Sequence, residues 1–402
     1  MSYSKWELER RMEEGWWSVG EKRVCPKCFD DYAIKEFISA NAVAHECSYC
    51  EEAATEPIAA EMDEVLSFIS EGLHREYEDP VEQVGYESAE GGYQLAVTET
   101  YDLLVDLGFG DCPDKLFDDL VSAFCDCQWV QKDPYGQLEC DALRYSWEDF
   151  CAQVKHRTRF VFYKMKTKKD WEHTSEPYEI LESLGGIVTQ LELIMTFPVG
   201  SSVVRARQHS SAKTYTTASQ LGTAPEERAS QSRMSPAGIP MFYGALDETT
   251  AFSEICVADE TRDAVTFGVF KSLRPLQILD LSKLPAVPSM FDEEHYAARM
   301  PLIFMHGFEE DATKAVTKDG MEHIEYVPTQ IVAEHFRHVF RQPDGKCLDG
   351  IFYRSSKNSN GICVALFCSQ GDCSDDLSVT DKTLGLVTFT RKTVDTKNLT
   401  FH

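Results

Sequence analysis

Nowhere in its 402 residues does the chain gather the ~18 apolar residues in a row that a membrane-spanning helix requires, so no membrane span is expected. Positive charge is also scarce. Lys and Arg number 39 against 67 Asp and Glu, a formal net charge of −28. Nucleic acids are bound through basic patches, so a nucleic-acid partner is not expected. A small anionic ligand needs only a local group of arginines, and that class stays open. The first residues, MSYSKWELERRMEEGW, are charged and amphipathic and contain no apolar signal region. The fourteen cysteines are scattered rather than regularly spaced. Together these features lead us to expect reduced thiols in a cytoplasmic protein. What is present is an ordinary globular balance, 43% hydrophobic and 26% charged, at a length sufficient for two or three domains.

Residues 1–20 read as a short helix offering Trp6, Leu8, Met12, Trp16 and Trp17 for packing. VCPKC and ECSYC follow. Cys25-x2-Cys28 and Cys47-x2-Cys50 have the spacing of a four-cysteine zinc ribbon, each pair on a tight knuckle. Four protein thiolates leave no open coordination position, so the expected Zn2+ is structural, closing a segment (1–56) too small to fold alone. His45, close by, is redundant in such a site.

From residue 57 to about 170 the periodicity is helical. Met62, Val65, Leu66, Ile69 and Leu73 share one face of a first helix. Leu95, Tyr101, Leu104 and Val105 mark a second, after the glycine break in YESAEGGYQ. Leu116, Leu120, Val121 and Phe124 mark a third, and Trp147, Phe150, Cys151 and Val154 a fourth. The polar stretch 166–177 reads as a linker into a mixed α/β domain (171–402) with a strongly twisted or split sheet. There a helix begins at Pro177 and is expected to stop at Gly185-Gly186. Strands are expected at SVVRAR (202–207), Met241–Tyr243, Val265–Phe270, Leu276–Leu279, GIFYRSS and ICVALFC, and YVPTQIVAEHFR reads as a loop entering a helix. A polar loop (208–232) is long enough to cover a pocket. Residues 281–322 carry little pattern.

The most informative stretch is SRMSPAGIPMFYGALDETTAFSE (232–254). Pro236, Gly238 and Pro240 bracket the approach to a short strand, and Asp247 is the N-cap candidate of a following helix. This unit brings Arg233, Tyr243 and Glu254 to one sheet edge. A cation, an aromatic face and a carboxylate suit a phosphate-bearing nucleotide whose ribose carbon becomes cationic. A strand with an ordinary salt bridge would read the same.

VVRAR, the 232–254 stretch, YVPTQIVAEHF and LDGIFYRSS, in this order over residues 175–370, resemble the RES-domain family. The helical region, in YESAEGGYQ and SWEDFCAQVKHRTRF, looks like the HEPN-like domain that precedes certain toxin-type catalytic domains. The resemblance implies a fold similar to ADP-ribosyltransferase toxins and an NAD-consuming activity. It makes Arg205 and Arg233 the family's arginines, Tyr243 its tyrosine, Glu254 its glutamate and Ser355 its serine, with the adjacent Ser356 left open. Some relatives have an aromatic after the first arginine; here Ala206 takes that place, which shifts weight onto Tyr243. HEPN ribonucleases use an Arg four to six residues from a His. No such pair occurs between residues 57 and 170, so the helical domain is read as a scaffold, sensor or interaction module.

Cleavage of the nicotinamide–ribose bond of NAD+ passes through an oxocarbenium-like state, as glycoside cleavage does. Nicotinamide leaves as a neutral base and requires no general acid. Glu254 would supply negative charge to the developing cation, the arginines would grip the pyrophosphate, Tyr243 would offer a flat face, and Ser355 a hydrogen bond. Each has a plainer reading: Arg205 facing solvent, Tyr243 in the core, Glu254 as a helix N-terminal charge, Ser355 as a strand-edge hydroxyl. Arg207 and Lys213 read as surface charges and Gln330 as a structural hydrogen-bonder. The expected protein is an NAD+-degrading toxin or defence effector, acting by hydrolysis or phosphorolysis. It would be held by an inhibitor, an activating partner or self-association. An ADP-ribosyltransferase and a non-catalytic binding module are the alternatives.

Overall fold

The computed structural model describes residues 15–88, 92–124, 128–164, 178–314 and 320–402. The expected helix over 1–20, the linker 166–177 and the glycines near 91 fall wholly or largely outside the described residues. The chain divides into two compact units, one formed by the residues through Leu138 with Val287–Met300, the other by Glu139–Ala286 with Pro301–His402. These units cut the chain differently from the three-domain division read from sequence.

In the first unit, Asp31 caps helix α1 (Tyr32–Ala40), its carboxylate accepting from the backbone N–H groups of Ala33 and Ile34. Helix α2 (Met62–Glu76) buries the stripe Met62, Val65, Leu66, Ile69 and Leu73 completely. Helices α3 (Thr100–Asp106) and α4 (Asp114–Ala123) add Leu103, Leu104, Leu116 and Leu120. Leu95, read from sequence as part of α3, lies ahead of it: the helix is seven residues long and follows Glu99. The cysteine knuckles and these helices share one continuous core, with Cys25, Cys28 and Cys47 in the same cluster as Leu66, Leu116 and Phe291.

Phe291 comes from the weakly patterned region. Its strap, 287–300, lies on α1 and α2 through polar contacts that leave no periodic signature. Ser289 Oγ donates to Asp31 at 2.7 Å, Arg75 to the Met290 carbonyl at 2.9 Å, and Arg299 to Glu76 at 2.7 Å. Gly72 admits the Phe291 ring: a Cβ at residue 72 would lie 2.1 Å from it.

The second unit is built on one ten-stranded sheet. Its strands are β1 (Ile194–Phe197), β2 (Ser202–His209), β3 (Phe242–Ala245), β4 (Ala264–Ser272), β5 (Leu276–Asp280), β6 (Gly350–Arg354), β7 (Ile362–Leu366), β8 (Cys373–Ser374), β9 (Leu384–Asp395) and β10 (Thr400–Phe401). Their order is β8-β9-β4-β2-β3-β7-β6-β5-β1, with β10 against β9. Only the β8–β9 and β5–β6 pairs are parallel. The sheet is pinched in the middle. Strand β2 pairs with β4 over eight residues but with β3 only at Ala245–Val204. Gly244 permits this approach, since a Cβ there would meet the Val204 carbonyl oxygen at 2.7 Å.

Helix α5 (Glu139–His156) belongs to this unit, Trp147 meeting Phe308 of α8 (Arg299–Thr313) edge-on at 4.9 Å. Helix α6 (Glu179–Gln190) runs through Gly185-Gly186, where the sequence suggested a stop. Gly185 faces the Phe340 ring, which a Cβ would meet at 2.9 Å. The glycine serves close packing, and burial of Ile180, Leu184 and Val188 outweighs a helix penalty of about 1 kcal/mol per glycine. Helix α7 (Glu248–Ile255) starts at Asp247, whose carboxylate accepts from the Thr250 N–H at 2.8 Å. Helix α9 (Val327–Glu334) places Pro328 in its first turn.

Candidate active site

A cleft of about 480 Å³ opens at the pinch between β2 and β3, a size within the range of small-molecule sites. Arg205 of β2, Tyr243 and Gly244 of β3, Glu254 of α7, and Tyr353 and Arg354 of β6 line it, with Arg233, Ser356, Lys357 and Cys363. The cleft thus gathers four cations in a chain of net charge −28.

Glu254 sits in the last turn of α7, not the first. A carboxylate there opposes the helix dipole, so its position has to be held by neighbours. Ser355 donates to Glu254 Oε1 at 2.5 Å, a charge-assisted bond. The same Ser355 oxygen accepts from the backbone N–H groups of Lys357 at 3.2 Å and Asn358 at 3.0 Å. With its lone pairs taken, the single hydroxyl proton is directed at Glu254. Lys357 Nζ closes the helix end on the carbonyls of Ser253 and Glu254, at 2.9 and 2.8 Å. Ser355 is buried, whereas Ser356 is exposed and lines the cleft. The buried serine positions the carboxylate, and its neighbour faces whatever fills the cleft.

Across from this turn, Arg205 lies over the Phe242 ring, its Cζ 5.2 Å from the centroid. Its Nη1 is buried and has no hydrogen-bond partner among the described residues. An orphaned buried guanidinium donor is costly, and here it lies at the wall of a cleft. Burial also lowers the Arg205 pKa. Tyr243 gives or takes a hydrogen bond with Ser235 Oγ at 2.9 Å, and burial raises its phenol to about 12, so it stays neutral. Tyr353 is buried and pushed up in the same way.

Arg233 is placed differently from the sequence reading. Its two terminal nitrogens donate to the carbonyls of Ala312 and Lys314 at 2.7 Å each, closing the carboxyl end of α8. It lines the cleft with those donors committed to the backbone. Gln330 donates to the carbonyls of Ser232 and Ser235, and Thr329 to that of Arg233, so the first turn of α9 holds the Arg233 loop as a structural element. Arg207, itself exposed, bonds the Gln220 carbonyl and lies over Tyr215.

Arg354 and Cys363 are among the cleft residues that escaped the sequence reading, with Tyr353 and Lys357. Arg354 donates to the Ser282 carbonyl through Nε at 3.2 Å and is among the residues that line the cleft. Cys363 lies beside Glu254, and burial with that carboxylate raises its thiol, which stays protonated. Arg354 was visible as the residue before Ser355, but strand alternation put it on the opposite face from the motif serine. Cys363 carries no sequence signal apart from its apolar strand.

The four sulfurs of Cys25, Cys28, Cys47 and Cys50 lie within 4.8 Å of one another in the first unit. Cys25–Cys50, Cys28–Cys47 and Cys25–Cys28 are 3.5, 3.7 and 3.9 Å apart. Bonds of about 2.3 Å to one tetrahedral ion put sulfurs ~3.8 Å apart, so this donor set fits a thiophilic metal such as zinc. It is remote in kind from the cleft chemistry: with four sulfur ligands it would hold the knuckles together.

Residues 40–168 match the family model of HEPN/RES N-terminal domain 1, and residues 202–386 that of the RES domain. No curated protein and no solved structure matches the chain. The second match spans the cleft residues from Arg205 to Cys363, and its family implies an NAD-related toxin or effector activity. No described helix is long and apolar enough to cross a membrane.

Proposed function

Because the chain carries a RES domain behind a HEPN/RES N-terminal domain, we propose that it is an NAD+-degrading effector that cleaves the nicotinamide–ribose bond. The observation that carries this reading is the pairing, in one cleft, of the unpartnered Arg205 donor with a Glu254 carboxylate locked by Ser355. Arg205, with Arg354, would hold the pyrophosphate. Glu254 would stand beside the ribose carbon and stabilise positive charge as nicotinamide leaves, with its Ser355 bond preventing rotation away. Tyr243 and Tyr353, both neutral, provide flat apolar walls. Arg233 orders the wall rather than carrying the phosphate alone.

Unrestrained loss of NAD+ would harm the cell that makes the protein. Restraint through the N-terminal helical region, by an inhibitor, an activating partner or self-association, belongs to the same proposal. Incubation of the purified chain with NAD+ tests it. Free nicotinamide and ADP-ribose should appear without any acceptor, and Glu254→Ala and Arg205→Ala should each abolish most of the turnover. Dependence of the rate on inorganic phosphate would identify phosphorolysis. Label retained on an added protein would identify ADP-ribosyl transfer instead. Absence of turnover, or full turnover by Glu254→Ala, would leave a binding module.

A further inference from the structure

At the end of β7 lies a second group of reactive side chains that the cleavage chemistry does not use. Cys368 follows β7, and Cys373 opens β8. Between them a single turn, Gln370–Asp372, is closed by Ser369, whose hydroxyl and N–H both donate to Asp372 Oδ2, at 2.7 and 2.8 Å. This tight turn folds the two thiols onto the same atom. Thr223 Oγ1 lies 3.5 Å from Cys368 Sγ and 3.6 Å from Cys373 Sγ. Thr223 and Cys368 are buried, while Cys373 is partly exposed, which leaves an approach for a small oxidant. A hydrogen bond from the Cys368 thiol, the N–H and hydroxyl of Thr223, and the Arg205 charge together hold Cys373 down at about 7, against its burial. The same contact and burial raise Cys368. Arg205 lies over Phe242, and Phe242 belongs to the buried cluster that contains Cys368 and against which Cys373 packs, so the cation and the thiols share a neighbour. Cys373 is the foremost group favouring the Arg205 charge. Asp372 is the other acid that acts on Cys368.

We propose that Cys368 and Cys373 form a redox-active pair that closes to a disulfide under peroxide, and that this oxidation frees the Arg205 charge for the anion in the cleft. The Cys373 thiolate attacks one peroxide oxygen, the O–O bond breaks, and the departing hydroxide takes up a proton to leave as water. The Cys368 sulfur then attacks the resulting sulfenic sulfur, losing its proton as a second water departs. Two thiols lose two electrons and hydrogen peroxide is reduced to two waters. In the reduced protein a sulfur anion competes with the ligand for Arg205. In the oxidised protein no charge remains there. The second half of the proposal rests on the reading of the cleft as an NAD+ site; the first does not.

The folded full chain is treated with hydrogen peroxide, its remaining thiols are alkylated after denaturation, and its peptides are mapped by mass spectrometry. A Cys368–Cys373 cross-link is expected at peroxide levels that leave most other thiols alkylated. In Cys368→Ser the reaction should halt at a sulfenic acid on Cys373 that a dione reagent traps. If Cys373 remains alkylatable while the exposed Cys347 is oxidised, the pair is not redox-active and the proposal falls. ADP-ribose binding, followed by calorimetry, reads the second half. Oxidation should tighten it several-fold in the wild type and change nothing in Cys373→Ser, with reduction restoring the starting value. Equal affinity in both redox states would overturn the link to Arg205. Failure of ADP-ribose to bind in either state would count against the NAD+ reading, while the peptide map would still decide the disulfide.

Discussion

Replacing Ser355 with alanine tests how the cleft holds its carboxylate. The hydroxyl makes one bond to Glu254 at 2.5 Å and accepts two from the following turn. A hydrogen bond to an ionised group contributes about 1.5–3 kcal/mol. If that energy serves to fix Glu254 against the reacting ribose, its loss lowers kcat/KM about ten- to hundredfold. The two turn bonds are neutral and contribute about 1 kcal/mol each to folding, so the melting temperature should fall by a few degrees. The loss should appear in kcat with little change in KM, because Ser355 is buried and does not itself line the cleft. Ser356→Ala should stay within about threefold of wild type, since removing one exposed hydroxyl at a wet wall forfeits at most one solvent-competed hydrogen bond. Glu254→Gln keeps an oxygen for Ser355 but removes the charge and should cost about 10²–10³-fold. The assay is nicotinamide release under saturating and limiting NAD+, with circular dichroism as the check on folding. Wild-type kcat in Ser355→Ala, or a larger loss in Ser356→Ala, would refute the assignment of roles.

Three other outcomes follow from the geometry. Purified protein should contain one zinc ion per chain, and chelation or Cys47→Ser should destabilise the first unit, whose core includes Cys25, Cys28 and Cys47; an unaltered melting curve after metal removal would contradict this. Gly72→Ala should destabilise the fold by about 1–2 kcal/mol, because overpacking against Phe291 costs more than the ~1 kcal/mol gained in helix propensity, and the penalty should vanish when the same substitution is made in a Phe291→Ala background. Burial raises Tyr243 from 10.0 to about 12, so between these values the unfolded chain loses a proton that the folded chain keeps. Stability is therefore intact below pH 10 and falls as pH rises through this window, and Tyr243→Phe should flatten the decline in alkaline denaturation curves.

The family motifs and the two cysteine pairs were legible in the sequence because each depends on short spacings that the backbone enforces locally. A C-x2-C knuckle places two sulfurs together wherever it occurs, and Asp247 caps α7 through its own next turn. The apolar stripe of α2 was legible for the same reason: a 3.6-residue period survives any tertiary arrangement. Other features had no local trace. The stop expected at Gly185-Gly186 failed because only the packed Phe340 ring explains the glycine. The strap 287–300 holds the first unit through side-chain contacts to α1 and α2, which leave no period in its own residues.

Sequence by itself singled out Arg205, Tyr243, Glu254 and Ser355, which stand in motifs whose order resembles the RES-domain family. Tertiary structure alone decided what each touches. It turned Arg233 toward the end of α8, left Arg205 Nη1 without a partner among the described residues, and set Glu254 against the dipole of its own helix under the grip of Ser355. It also brought Arg354 and Cys363 into the cleft, and folded Cys368 and Cys373 onto Thr223. Residue identity follows from local pattern. Partnership depends on which strands meet at the pinch of the sheet, and that meeting is set by burial over the whole unit rather than by any one stretch of chain.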